Sequence, residues 1–171
     1  MDILFLLLFD GVKGAGLGTD SAADALGAVD EGLAVFHGDG GTAHHEAALA
    51  ADRLYIGFWT DKGSCNREIA AFLKQVKGKE VFLFGTAGFG GDAAYFDKVL
   101  TAVKKHLDRS NTVIGTYMCQ GKMPQSVRER YVKMKENPEH PDNIDALIEN
   151  FDKALSHPDS DDLERLKNII I

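Results

Sequence analysis

The segment Gly57-Phe58-Trp59-Thr60-Asp61-Lys62-Gly63 sets the single tryptophan of the chain among small and polar residues at the end of an apolar run. An indole placed there can lie over a flat ring while glycine lets the backbone approach a ligand, which suits a planar cofactor better than a core. A second segment, Gly85-Thr86-Ala87-Gly88-Phe89-Gly90-Gly91-Asp92, repeats the arrangement after Val81-Phe82-Leu83-Phe84. Together the two segments make two walls of one site. The competing reading of Trp59 is a core anchor, against which the polar Thr60-Asp61-Lys62 argues; Phe89 has the same alternative, packing under its own loop.

Other chemistry-bearing residues form weaker patterns. Gly14-x-Gly16-x-Gly18 is a weak candidate for a dinucleotide fingerprint, because Gly-x-Gly-x-x-Gly from Gly14 requires glycine at position 19, which is Thr19. His44-His45-Glu46 supplies two imidazoles and a carboxylate, but spacing places no third protein ligand, and an exposed polar turn is the favoured reading. His37, His106, His140 and His157 are scattered and suggest no catalytic group. Cys65 falls where a helix begins, and in the first turn the dipole would lower its thiol pKa; inert packing is the alternative and the favoured one. Cys119 lies at an apolar strand end and reads as inert. No Ser-His-Asp or paired-carboxylate constellation stands out, and the acidic run over 159–164 reads as a helix N-terminus complementing its dipole.

The elements that must position the two walls follow from apolar patterning. Near-continuous apolar runs at 3–9, 33–37, 53–59, 81–85 and 112–119 read as strands covered on both faces. Between them, Ile69, Phe72, Leu73 and Val76 recur at helical spacing, as do Phe96, Val99, Leu100, Val103 and Leu107. Thr19 to Ser21, Ser64 and Asp92 are candidate caps, while 38–52 reads as either a short helix or a loop. Beyond residue 122 the pattern is helical only, over 124–135, 143–155 and 160–168, with Pro138, Pro141 and Pro158 between. Strand and helix alternating in this way imply a parallel sheet with helices on both faces, and ligands of such sheets sit outside the carboxyl ends of the strands. Both candidate walls fall on that edge.

Composition sets the surroundings. A chain of 171 residues with 44% apolar and 26% charged residues has the makings of one soluble domain. A net charge of −7 lacks the basic footprint that nucleic-acid backbones require, and suits solubility or a basic protein partner. Ile3 to Phe9 has no basic segment before it and is too short to span a bilayer, so no membrane partner is expected. Two cysteines make no disulfide scaffold, and a cytoplasmic location is the expectation.

The order of elements, the Gly57-to-Gly63 segment, Leu83-Phe84-Gly85-Thr86-Ala87-Gly88, and Gly115-Thr116-Tyr117-Met118-Cys119-Gln120-Gly121-Lys122 resemble a flavodoxin. More narrowly, they resemble the bacterial flavodoxin-like proteins that carry Gly-Phe-Trp-x-Asp-Lys-Gly and Cys-Gln-Gly-Lys. The resemblance implies a flavodoxin-like α/β three-layer sandwich, with a five-stranded parallel sheet of order 2-1-3-4-5, over residues 1–122. Residues 123–171 would be a helical C-terminal extension packed on it.

The resemblance also implies noncovalent FMN and an electron carrier serving a redox partner protein. Trp59 would stack on the isoalloxazine, Thr60, Asp61, Lys62 and Gly63 would offer backbone groups to the ring edge, and Thr86, Ala87, Gly88 and Phe89 would close the other side. Asp61 and the acidity of the chain would disfavour an anionic reduced flavin and so lower the potential. The departure from the pattern lies after the first strand, where flavodoxins carry Ser/Thr-x-Thr-Gly-Asn-Thr for the FMN phosphate. Here the run is Phe9-Asp10-Gly11-Val12-Lys13-Gly14-Ala15-Gly16-Leu17-Gly18-Thr19-Asp20-Ser21. Three readings stay open: a phosphate cradle from the amides of Gly14, Gly16 and Gly18 with Lys13, Thr19 and Ser21; a ligand without phosphate; or no ligand there. The alternatives to the carrier are a degenerate accessory module that has lost tight FMN binding, and an FMN-dependent small-molecule reductase.

Overall fold

The structure is a computed structural model. It describes residues 49–90 and 92–170 in full, and the strands Ile3–Phe9 and Leu33–His37 as backbone. The candidate phosphate residues Lys13, Gly14, Gly16, Gly18, Thr19 and Ser21, the first cap and His44-His45-Glu46 lie outside the described residues, as does most of 38–52, whose end is helical at Leu49 and Ala50.

In chain order the described elements are β1 (Ile3–Phe9), β2 (Leu33–His37), β3 (Arg53–Asp61), β4 (Ser64–Cys65), α1 (Arg67–Leu73), β5 (Glu80–Ala87), α2 (Ala93–Lys104), β6 (Thr112–Gln120), α3 (Gln125–Lys135), α4 (Ile144–Ala154) and α5 (Ser160–Ile170). The main sheet runs β2-β1-β3-β5-β6 with every neighbour parallel. Counting only its five long strands, this is the expected order 2-1-3-4-5. β4 is the addition that patterning did not reveal: two residues paired antiparallel to the end of β3.

Alternation along β3 and β5 divides the core. Leu54, Ile56 and Phe58 face the same side as Val81 and Leu83, and pack with Ile69, Phe72, Leu73 and Val76 and with Val99, Leu100 and Val103 of α2. Ile69, Phe72 and Leu73 of α1 and Val99, Leu100 and Val103 of α2 thus meet the sheet as expected, with Val76 and Leu107 joining just past the helix ends, whereas Tyr95 takes the place expected of Phe96 in this packing. On the other side Tyr55, Phe82 and Phe84 are buried, with ring centroids 5.5 and 6.4 Å apart in sequence. Glycines make room for a ring on each side: a Cβ at Gly85 would come within 2.6 Å of the Phe58 ring on the first face, and one at Gly115 within 2.5 Å of the Phe82 ring on the second.

The sheet's edge corrects one expectation. β6 is not covered on both faces, because it is the outermost strand and exposes Thr112, Val113 and Ile114. Ile114 is skipped in the register between Val81–Val113 and Phe82–Gly115, so the exposed half carries a bulge, a feature that discourages pairing with a further strand. The inner half is covered by α5, on which the backbone carbonyl of Asp162 accepts a 2.7 Å hydrogen bond from the Tyr117 hydroxyl. No helix among the described residues is long and apolar enough to cross a membrane.

Candidate functional site

The carboxyl ends of β3, β5 and β6 finish level with one another. Trp59 pairs with Thr86 and Thr86 with Cys119, so these three form one row across the sheet and share a face. Trp59 is half-buried, Thr86 is half-buried, and Cys119 is buried. The two walls expected from sequence are thus adjacent, held by strand pairing.

The first wall is more ordered than a glycine-rich loop. β3 continues through Trp59, Thr60 and Asp61 before a two-residue turn, Lys62-Gly63, leads into β4. Both turn residues have positive φ, 48° for Lys62 and 83° for Gly63, the geometry whose twist suits a tight hairpin. Thr60 pairs with Cys65 and Asp61 with Ser64 across it. Thr60 Oγ1 is buried without a hydrogen-bond partner among the described residues, on the opposite face of β3 from Trp59, the side of Phe58 and Cys65.

This hairpin also corrects the readings of Ser64 and Cys65. The residue preceding α1 is Asn66, whose side chain donates to Glu68 rather than capping the helix backbone, so Ser64 is not the cap. Cys65 sits in β4, outside the helix; burial pushes its thiol up, and no dipole-activated thiolate results. Asp92, by contrast, caps α2 as expected, accepting from the Ala94 amide at 2.9 Å.

The second wall is locked by close approach. Ala87 is buried and its carbonyl accepts from the Gly121 amide at 2.9 Å. The Gly88 carbonyl accepts two side-chain amides, Asn150 Nδ2 at 2.9 Å and Gln120 Nε2 at 3.1 Å, and Gln120 Nε2 also reaches Asn150 Oδ1 at 3.2 Å. A Cβ on Gly88 would strike the Met123 side chain, one on Gly90 the Gln120 side chain, and one on Gly121 the Thr86 Cβ. The glycines of Gly85-to-Gly91 and of Cys119-Gln120-Gly121-Lys122 therefore let two loops interlock. Phe89 projects from this lock with 39% of its surface exposed, its ring edge-on to Tyr95 at 6.3 Å. Sequence reasoning missed Gln120 and Asn150; the Cys-Gln-Gly-Lys segment carried a signal for the first, whereas Asn150 is one polar residue on an amphipathic helix.

A second polar cluster lies under α5. Asp159 and Asp162 cap one another, the Asp162 amide donating to Asp159 Oδ1 at 2.9 Å and the Asp159 amide to Asp162 Oδ2 at 3.1 Å. His157 Nδ1 lies 2.6 Å from Asp162 Oδ2, and Arg165 donates to Asp162 Oδ1 at 2.7 Å. Burial raises the Asp162 carboxyl, but the bonds from His157, the Asp159 amide and Arg165 outweigh it and hold it below 3.8. His157, one of the scattered histidines in which the sequence suggested no catalytic group, is engaged by this cluster. His157, Asp159 and Asp162 lie close enough to hold a cation, yet both oxygens of Asp162 already accept hydrogen bonds and the Arg165 charge beside it opposes one. The expected helix N-terminus over 159–164 is present. Nearby, burial and then the Asp162 charge push Cys119 up to about 12, and burial raises Tyr117 to about 12, so neither ionises near neutrality.

Comparison with known proteins agrees with this architecture. A family model described as "Flavodoxin domain" matches residues 28–171. The flavodoxin-like domain-containing protein BilS of Clostridium symbiosum (strain WAL-14163) is 37% identical over 163 residues, 89% of this chain and 85% of that protein. BilS of Clostridioides difficile (strain CD3) is 26% identical over 112 residues, 66% of this chain and 64% of that protein. Among solved structures, the Trp repressor binding protein from Bacillus subtilis aligns with a TM-score of 0.51 at 13% identity, over 86% of this chain and 97% of that one. The NADPH-quinone reductase from P. pentosaceus aligns with a TM-score of 0.50 at 12% identity, over 90% and 98%. With the parallel sheet order, the helices on both faces and a family match over most of its length, the chain belongs to the flavodoxin family.

Proposed function

We propose that this protein holds FMN noncovalently against the carboxyl edge of β3 and β5 and carries electrons between redox partner proteins. The observation that carries the reading is the row Trp59–Thr86 at that edge, with both side chains half-buried on one face. A half-open indole offers a face to a flat ring. These residues fit a flavin's ring system; the residues proposed for its phosphate are Lys13, Gly14, Gly16, Gly18, Thr19 and Ser21.

When bound, FMN supplies the redox chemistry, and the fold's task is to orient it and set its electronic surroundings. Trp59 would cover one face, and Thr60, Asp61, Lys62 and Gly63 would offer backbone groups to the ring edge. The hairpin at Lys62-Gly63 fixes the first wall, leaving Asp61 to place a carboxylate next to the indole along β3. Phe89, braced by Tyr95, closes the second wall while exposing part of its ring to an approaching partner. Cys119, buried in the same row with its thiol held protonated, supplies no nucleophile.

A second reading, a partner-binding module that has lost tight FMN binding, is favoured by the run Phe9 to Ser21, whose first hydroxyl is Thr19. Absorbance after addition of FMN separates the two. Uptake with a perturbed flavin spectrum supports the carrier; a protein that leaves FMN, riboflavin and other flavins unperturbed refutes it and favours the module. Oxidation of NAD(P)H with a quinone acceptor, without a partner protein, would instead identify a small-molecule reductase.

A further inference from the structure

The helical segment after residue 122 reaches back to the proposed ring-side wall through one side chain. We infer that Asn150, on α4, is a positioning residue for the loop 87–90, fixing the peptide between Gly88 and Phe89 so that its N–H is offered to an acceptor on the ligand's ring edge. This rests on the reading that a flavin ring lies against that loop.

The geometry is specific. The Gly88 carbonyl accepts from Asn150 Nδ2 at 2.9 Å and from Gln120 Nε2 at 3.1 Å, which fills both of its lone pairs. Asn150 Oδ1 in turn accepts from Gln120 Nε2 at 3.2 Å, so the two amides orient each other. In a trans peptide the C=O of one residue and the N–H of the next point in opposite directions. With the Gly88 carbonyl drawn towards Gln120 and Asn150, the Phe89 N–H must point away from β6 and α4. That N–H makes no hydrogen bond with a described residue. The side chains of Met123 and Gln120 lie against Gly88 and Gly90, where a Cβ would stand, so the loop is closely packed on that side. α4 itself is anchored by Ile144, Phe151 and Ala154, all buried, and by the Arg128–Asp152 ion pair to α3. Asn150 thus transmits the position of a packed helix to a loop 62 residues earlier in the chain.

The test compares wild type with Asn150→Ala, Asn150→Asp and the exposed control Glu149→Ala. Asn150→Asp keeps the size and the acceptor for Gln120 but removes the donor to Gly88. Amide hydrogen exchange is followed in the ligand-free proteins, and FMN binding by fluorescence titration. Losing one hydrogen bond worth about 1 kcal/mol corresponds to a change of about 5-fold. Both Asn150 variants are expected to exchange the Gly121 amide, which is bonded to the Ala87 carbonyl beside this lock, about that much faster and to bind FMN about that much more weakly, with β3 amides and the Glu149→Ala control unchanged. Faster exchange confined to the Gly121 amide in a protein that never takes up FMN supports the positioning role and refutes the flavin reading. Unchanged exchange at that amide overturns the positioning role whatever FMN does, and so does a uniform rise across the sheet, which marks a general loss of stability.

Discussion

Replacing Gly121 by alanine tests whether the two edge loops interlock as described. The new Cβ would stand 2.6 Å from the Thr86 Cβ and 2.9 Å from its Oγ1. Ordinary contact begins near 3.4 Å, so about 0.8 Å of separation must be found. No rotamer change at Thr86 supplies it, because the struck atom is the Cβ, fixed to the backbone of β5. The loop must therefore move off the strand, and the 2.9 Å bond from the Gly121 amide to the Ala87 carbonyl lengthens to about 3.7 Å, outside hydrogen-bond range. Overpacking costs about 1–3 kcal/mol and the lost bond about 1, for a sum of about 2–4 kcal/mol. With a urea slope of about 2 kcal/mol per molar, the unfolding midpoint should fall by about 1–2 M. Gly88→Ala is the internal comparison. Its Cβ would meet Cγ and Sδ of Met123, and a flexible thioether can swing aside, so the loss should be about 1 kcal/mol or less. A Gly121→Ala unfolding free energy within about 0.5 kcal/mol of wild type, or a Gly88→Ala protein less stable than Gly121→Ala, would refute the interlock.

Trp59→Ala should weaken FMN binding by about 1–3 kcal/mol, the range found for bases stacked on aromatic side chains, and an unchanged titration would remove Trp59 from the ring site. Asp162 should make stability acid-sensitive. Its folded pKa lies below 3.8, so the stability it adds is whole above that value and lost as pH falls through the lowered one. Urea midpoints of wild type should accordingly drop more steeply below pH 4 than those of Asp162→Asn, and parallel curves would contradict the assignment. Both thiols are buried and shifted upward, Cys119 to about 12, so neither should react with a disulfide reagent at pH 8 until the protein unfolds. Rapid labelling of one thiol in the native state would show that the edge of the sheet is open where the structure has it closed.

The strands were legible because each buried strand of the described region carries its own apolar run, whereas their order was implied by the resemblance to a flavodoxin. Arg53–Asp61 and Glu80–Ala87 were each underestimated only at their ends, where Thr60-Asp61 and Thr86-Ala87 replace the apolar signal with small and polar residues that pairing still holds in the sheet. Edge exposure of Thr112 to Ile114 was not legible. An apolar run reads alike whether one flank of the strand or both are covered, and only the strand order says which. Cys65 was misplaced for a related reason. A two-residue strand has no period, and its presence depends on the Lys62-Gly63 turn closing back on Thr60 and Asp61.

The two walls of the proposed site differ in how their shape is held, and that difference bears on function. The first is covalently local: a hairpin whose turn residues lie next to Trp59 in the chain, so its conformation is decided within a few residues. The second is decided from afar, by Gln120, Met123 and Asn150 acting on Gly88 and Gly90, and it inherits its rigidity from α4. A change in the packing of the C-terminal helices would therefore move the Phe89 side of the site while leaving Trp59 in place. Since Phe89 is also the exposed aromatic at this edge, a partner that presses on it works against the Gly88 lock rather than against the sheet. Sensitivity to docking belongs to that second wall. The sequence beyond residue 122, which bears no residue of the proposed ring contact, is on this argument what sets the stiffness with which the ring is held.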